Sequence, residues 1–141
     1  MRIYRLLFPV LFVLLARGSL SGTERSAIVR SAKVIVVGRA QGLRSFPWLD
    51  GWHVTGSILV ETVLAGKVVP GEMLKFEFVC SCCSMWTPPD TSYIRDAGVW
   101  FLVPANKGTW RSAGSCSDPG YRPLSRLEEI RGDIRELAPQ R

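Results

Sequence analysis

Hydrophobic and polar positions alternate most cleanly from Met73 to Cys80. Leu74, Phe76 and Phe78 point one way there, and Lys75 and Glu77 the other. This period-two pattern predicts a half-buried antiparallel strand. Two other segments are apolar without alternation: Lys33 to Arg39, rich in valine and isoleucine, and Val99 to Val103. Each predicts a fully buried strand. Val54 to Leu64 predicts another, with Ile58, Val60, Thr62 and Leu64 on one face and Ser57, Leu59, Glu61 and Val63 on the other. Thr109 to Ala113 returns as a fifth strand after a turn at Asn106-Lys107-Gly108. Two long loops are expected, Gln41 to His53 with Gly42, Pro47 and Gly51, and Ser81 to Gly98 around Pro88-Pro89. A short helix is expected from Glu24 to Ser31, with Ala27, Ile28 and Ser31 on one side. Near the end, Leu127, Ile130, Ile134 and Leu137 form one helical stripe, opened by Ser125 and Glu128 as a capping box and closed by Pro139. Five strands in meander order with one C-terminal amphipathic helix predict a mainly β, small closed barrel, since closure removes exposed edges.

Residues 1–22 read as a signal peptide. Arg2 and Arg5 precede an apolar run from Leu6 to Ala16, too short for a bilayer, and small residues follow it. Retention as an anchor is the alternative. Residues 23–141 are then one domain in a secreted, periplasmic or extracellular protein. Loss of Arg2, Arg5 and Arg17 takes the formal net charge from +6 to +3. Such a surface gives no reason to expect nucleic acid as a partner, and no later segment is apolar enough to span a membrane.

In an exported chain cysteines are read first as disulfides. Cys80, Cys82 and Cys83 are clustered, and Cys116 lies far downstream. Adjacent pairing strains disulfide geometry. The pattern therefore favours Cys82–Cys116 with Cys80–Cys83, while a single long bridge to Cys116 with two free thiols stays open. A soft-metal site and a thiol redox role are the other two readings of the cluster. The segment Phe46 to His53 holds Phe46, Trp48 and Trp52 in an expected loop, and Trp86 lies in the second loop. These four are the candidate partner-binding residues, because tryptophan is favoured at binding hot spots. The opposing reading is that Trp48 and Trp52 cover an open barrel end. His53 is the chain's one histidine, and Asp90, Asp96 and Asp118 sit among turn residues. No catalytic set, resident metal or cofactor is expected from them.

The order of these segments resembles the netrin-like module, the OB-fold barrel of the tissue inhibitors of metalloproteinases and their bacterial relatives. The resemblance is carried by Ser31 to Arg39, by Ile58 to Lys67 with its Ala65-Gly66-Lys67 turn, by Gly98 to Val103, by Ser115-Cys116-Ser117 and by Leu124 to Ile130. It implies an OB-like five-stranded barrel with the helix docked on it. Those inhibitors begin Cys-x-Cys and chelate the protease zinc through the first cysteine. Neither Ser19 nor Thr23 supplies that cysteine here, so the chelating chemistry does not carry over. The expectation is a disulfide-stapled binding module for a protein partner at or outside the cell envelope. A metalloprotease inhibitor acting without the N-terminal cysteine is the alternative.

Overall fold

The structure, a computed structural model, describes residues 25–81, 86–114 and 118–138. The signal-peptide segment, Cys82, Cys83, Cys116 and Pro139 lie outside the described residues. Nearly half of the described residues, 48%, are strand. A helix over residues 25–31 (α1) leads into β1 (Val34–Trp48), β2 (Gly51–Ala65), β3 (Met73–Cys80), β4 (Gly98–Pro104), β5 (Trp110–Ser112) and β6 (Tyr121–Pro123). A single 3-10 turn, Leu124–Arg126, then opens α2 (Leu127–Leu137).

Five of these strands close a barrel in the order β1-β2-β3-β5-β4, with β4 pairing back to β1 through Val34↔Leu102 to Gly38↔Gly98. The expected barrel is present, but its order is not a meander. β3 pairs in parallel with β5 at Phe76↔Trp110, and β4 lies beyond β5. The long segment between β3 and β4 supplies the length that a parallel neighbour demands. It also supplies Ile94, buried in the barrel interior from a short 3-10 turn, Ser92–Ile94. β6 is a further strand that pattern reading missed; three residues are too few to show a period. It pairs with β4 at Gly98↔Pro123 and Trp100↔Tyr121.

The uninterrupted apolar runs are explained by burial on both faces. Val34 and Val36 of β1 and Trp100 and Leu102 of β4 point into the barrel, with Ile58, Val60, Leu74 and Phe76. Their neighbours Ile35, Val37, Val99 and Phe101 point outward, beneath the two helices. α1 covers them with Ile28 and Val29, followed by Ala32; of the three residues expected on one side of this helix, Ile28 is buried and Ala27 and Ser31 are exposed. α2 covers them with Ile130 and Leu137, flanked by Leu127 and Ile134, the predicted stripe. The Arg25 guanidinium joins the helices by pairing with Glu129 and, at 3.0 Å, with Asp133. The predicted capping box does not form. Ser125 lies inside the 3-10 turn, and the N-cap position falls to Arg126, which makes no side-chain cap bond.

Three register shifts interrupt the β1–β2 pairing and change which residues face inward; the first leaves Leu64 extra on β2 between Ile35↔Ala65 and Val36↔Val63. Between Val37↔Thr62 and Gly38↔Val60, Glu61 is extra on β2, so the interior side passes from Ile58 and Val60 to Val63. The expected face Ile58-Val60-Thr62-Leu64 is therefore broken, and Leu64 packs outside under the helices. Between Gln41↔Ser57 and Arg44↔Thr55, Gly42 and Leu43 stand opposite Gly56 alone. Gly42 adopts φ 62°, where glycine is favoured. Past this bulge β1 runs on to Trp48, so the expected loop Gln41 to His53 is a long hairpin arm closed at Leu49-Asp50.

Candidate functional site

The arm sorts its aromatic residues by strand parity. Phe46 pairs with His53 and Trp48 with Gly51, so these four share one face. Pro47 and Trp52 pair on the other. Trp52 lies on the side of Val54, whose neighbours form the barrel interior, and it is paired with buried Cys80. Phe46, Trp48 and Trp52 therefore do not form one surface. Trp52 is half-buried at the barrel end, as the opposing reading has it, while Phe46 is 43% exposed, Trp48 63% and Leu49 94%. Trp86 is 92% exposed in the second loop. Leu49 was not among the sequence-predicted residues; its place at a two-residue turn becomes visible only once the strands are known to extend that far.

Beyond Gly38, β4 no longer pairs with β1, and among the described strands β2 is the arm's one neighbour there. Pro47 fits such an edge, since it has no N–H to give a second partner. The edge of β1 beyond Gly38 runs directly into the apolar tip at Trp48 and Leu49.

His53 gathers three neighbours on the outward face. Its Nε2 lies 2.6 Å from Asp50 Oδ1 at the hairpin turn, and its Nδ1 lies 2.9 Å from Glu77 Oε1 on β3. Phe46 stacks on the ring at 5.2 Å with an interplanar angle of 15°. Glu77 is the diagonal neighbour of His53, since His53 pairs with Val79 and Thr55 with Glu77. The imidazole is 13% exposed, whereas Asp50 is 61% exposed and Glu77 half-buried. Hydrogen bonding to Asp50, then to Glu77, raises the His53 pKa above its usual 6.5 against the opposing effect of partial burial. The same contact with His53 lowers the pKa of Asp50. The sequence showed His53 as isolated because Glu77 reaches it only across the β2–β3 pairing.

A groove of about 950 Å³ runs beside this cluster. Its lining follows the sheet from His53 on β2 through Glu77 on β3 and Arg111 on β5 to Val103 on β4, with Lys107 and Asp118 at its margin. Asp118 is held by both terminal nitrogens of Arg122, at 3.0 and 2.9 Å, and accepts the Gly120 N–H at 2.8 Å. Among the described residues no three ligand-type side chains are placed to hold a metal ion. The two nitrogens of His53 face different carboxylates, so this trio does not converge on one point. Of the four cysteines only Cys80 is described; it is buried and disulfide-bonded. Cys82, Cys83 and Cys116, any of which could be its partner, lie outside the described residues. No helix among the described residues is long and apolar enough to cross a membrane.

No family model matches the chain, and no curated protein matches it.

Proposed function

We propose that this chain is an exported binding module that holds a protein partner with its β1–β2 arm. The observation that carries this reading is the exposure of Trp48 and Leu49 at the tip of a hairpin paired without a break from Arg44↔Thr55 to Trp48↔Gly51. Apolar side chains presented together on an ordered element favour a contact surface, because their exposure has a hydration cost that binding relieves. Phe46 extends the patch along the same face, and Trp86 is a further exposed aromatic in the segment between β3 and β4.

Affinity capture from an envelope extract would supply the partner. Trp48→Ala is then expected to weaken binding about thirtyfold, the equivalent of about 2 kcal/mol at a hot spot. The same change should leave the unfolding midpoint within the range of a surface substitution, about 0.5 kcal/mol. Unchanged affinity in Trp48→Ala and in Leu49→Ala would rule out the arm as the contact.

The resemblance to netrin-like inhibitors supports a second, narrower reading, in which the arm wedges into a metalloprotease cleft without chelating its zinc. The closed five-stranded barrel with a C-terminal helix agrees with that reading. Slowing of a metalloprotease by the protein, lost in Trp48→Ala, is the measurement that would favour it.

Export and the disulfide staple are part of the proposal and share one test. Mass spectrometry of exported protein should find a mass lacking roughly the first 20 residues, the length of a signal peptide. Its unreduced peptide map should link Cys116 to Cys82 or Cys83. A mass that retains Met1 to Ala16, or a free Cys116 thiol, would remove the corresponding half.

A further inference from the structure

His53 makes two contacts that one neutral imidazole cannot donate. Each ring nitrogen faces a carboxylate oxygen, Asp50 at 2.6 Å and Glu77 at 2.9 Å. An ionised carboxylate only accepts hydrogen bonds. Neutral imidazole has one N–H, and imidazolium has two. With one proton fewer, a ring lone pair would face one of the two carboxylates. Only the doubly protonated ring can donate to both carboxylates at once.

The placement of the two acceptors gives this proton a mechanical consequence. Asp50 sits in the two-residue turn at the tip, and Glu77 belongs to β3 in the barrel wall. Phe46 of the arm's edge strand lies flat on the ring between them. One imidazolium thus ties tip, edge strand and barrel together. We propose that His53 is a proton-operated latch that fixes the aromatic tip to the barrel when protonated and releases one of its two ties when neutral.

The charged surroundings support that direction. From the turn comes Asp50, from β3 comes Glu77, and the arm's own β1 presents the uncharged Phe46 with the cationic Arg44 one step further on the same face, opposite Thr55. Along the groove stand Arg111, in register with Glu77, then Lys107 and Asp118. The two nearest groups are both anionic and favour the imidazolium. Because the folded state raises the His53 pKa, the latch adds stability fully below about pH 6.5 and loses it as pH rises through the raised value. Once His53 is neutral, Glu77 remains beside Arg111, and the tip keeps only Asp50 or loses that tie instead.

This inference rests on the proposed binding role only for its consequence, that the partner is held more tightly in mild acid than in mild alkali. The latch itself is decided on the protein alone. With one histidine in the chain, its Cε1–H resonance needs no assignment by mutation. The expected result is a titration midpoint above about 6.5, the ordinary histidine value. Hydrogen exchange over residues 46–53, corrected for the intrinsic effect of pH, should lose about tenfold protection across that midpoint, as expected for one charge-assisted hydrogen bond. His53→Gln should abolish the step. Should that variant not fold, Glu77→Gln removes one acceptor and should lower the midpoint while Asp50 remains. A midpoint at or below that ordinary value, or protection that does not change across it, overturns the latch. A normal latch with pH-independent partner affinity overturns the gating alone, whereas full affinity in Trp48→Ala overturns the binding role and leaves the latch intact.

Discussion

Replacing Trp100 by alanine is expected to cost about 3–5 kcal/mol of folding stability, the range for removing a large aromatic from a core. Trp100 is 0% exposed and belongs to the inner core of the barrel. Its ring meets Phe76 edge-on at 5.2 Å and Tyr121 at 5.1 Å, and Tyr121 in turn meets Tyr93 at 6.2 Å. The cluster joins β3, β4, β6 and the loop before β4. The indole Nε1–H also donates to the Gly38 carbonyl at 3.2 Å, so truncation leaves a buried acceptor without that donor. Against a typical domain stability of about 5–15 kcal/mol, such a loss brings the barrel near to unfolding at room temperature. Trp100→Phe keeps most of the apolar volume and loses the donor; it should fall between the two proteins. Urea unfolding of the three checks this. A loss below about 1.5 kcal/mol in the alanine variant, the range of a tolerated apolar swap, would mean that the cluster is not the keystone of the barrel.

The barrel was legible in the sequence wherever burial alone decided the pattern. Met73 to Cys80 alternates because one side faces the interior, and its predicted limits match β3. The solid apolar runs of β1 and β4 are buried twice, by the barrel inside and the helices outside. Local chemistry misled where tertiary structure absorbed it. Gly42 and Pro47 are strong loop signals, yet Gly42 serves a bulge and Pro47 a free edge, so the strand continues through both. Once that stretch is strand, alternation decides where its aromatics point, which is why Trp52 and Trp48, apparently one aromatic cluster, face opposite ways. Ser125 and Glu128 have capping-box spacing, but the chain enters α2 through a 3-10 turn that moves Ser125 away from the N-cap. The His53 contacts were hidden for a different reason. Asp50 is close in sequence, but nothing in the chain's order indicates that Glu77 lies one diagonal step across a strand pair.

Removing the centre of the α2 stripe is the second large effect. Ile130→Ala is expected to cost about 2–4 kcal/mol, because the side chain is 3% exposed and packs in the outer core with Ile35, Val37, Val99 and Phe101. These four lie on the outside of β1 and β4, the strands whose pairing closes the barrel. Without a docked helix that closure would face water with a row of valine, isoleucine and phenylalanine. α2 therefore covers the seam, and α1 shares the task through Ile28 and Val29. The pairing of Arg25 with Glu129 and Asp133 fixes the helices relative to each other, but these side chains are partly solvated, so apolar burial contributes more than the ion pairs do. Glu128→Ala, on the exposed side of the same helix, is the matched control and should stay within about 0.5 kcal/mol. If Ile130→Ala loses no more than that control, α2 is not docked on the barrel. If it instead lowers the denaturant slope as well as the midpoint, less surface is being exposed on unfolding, and the helix has already left the seam in the native state.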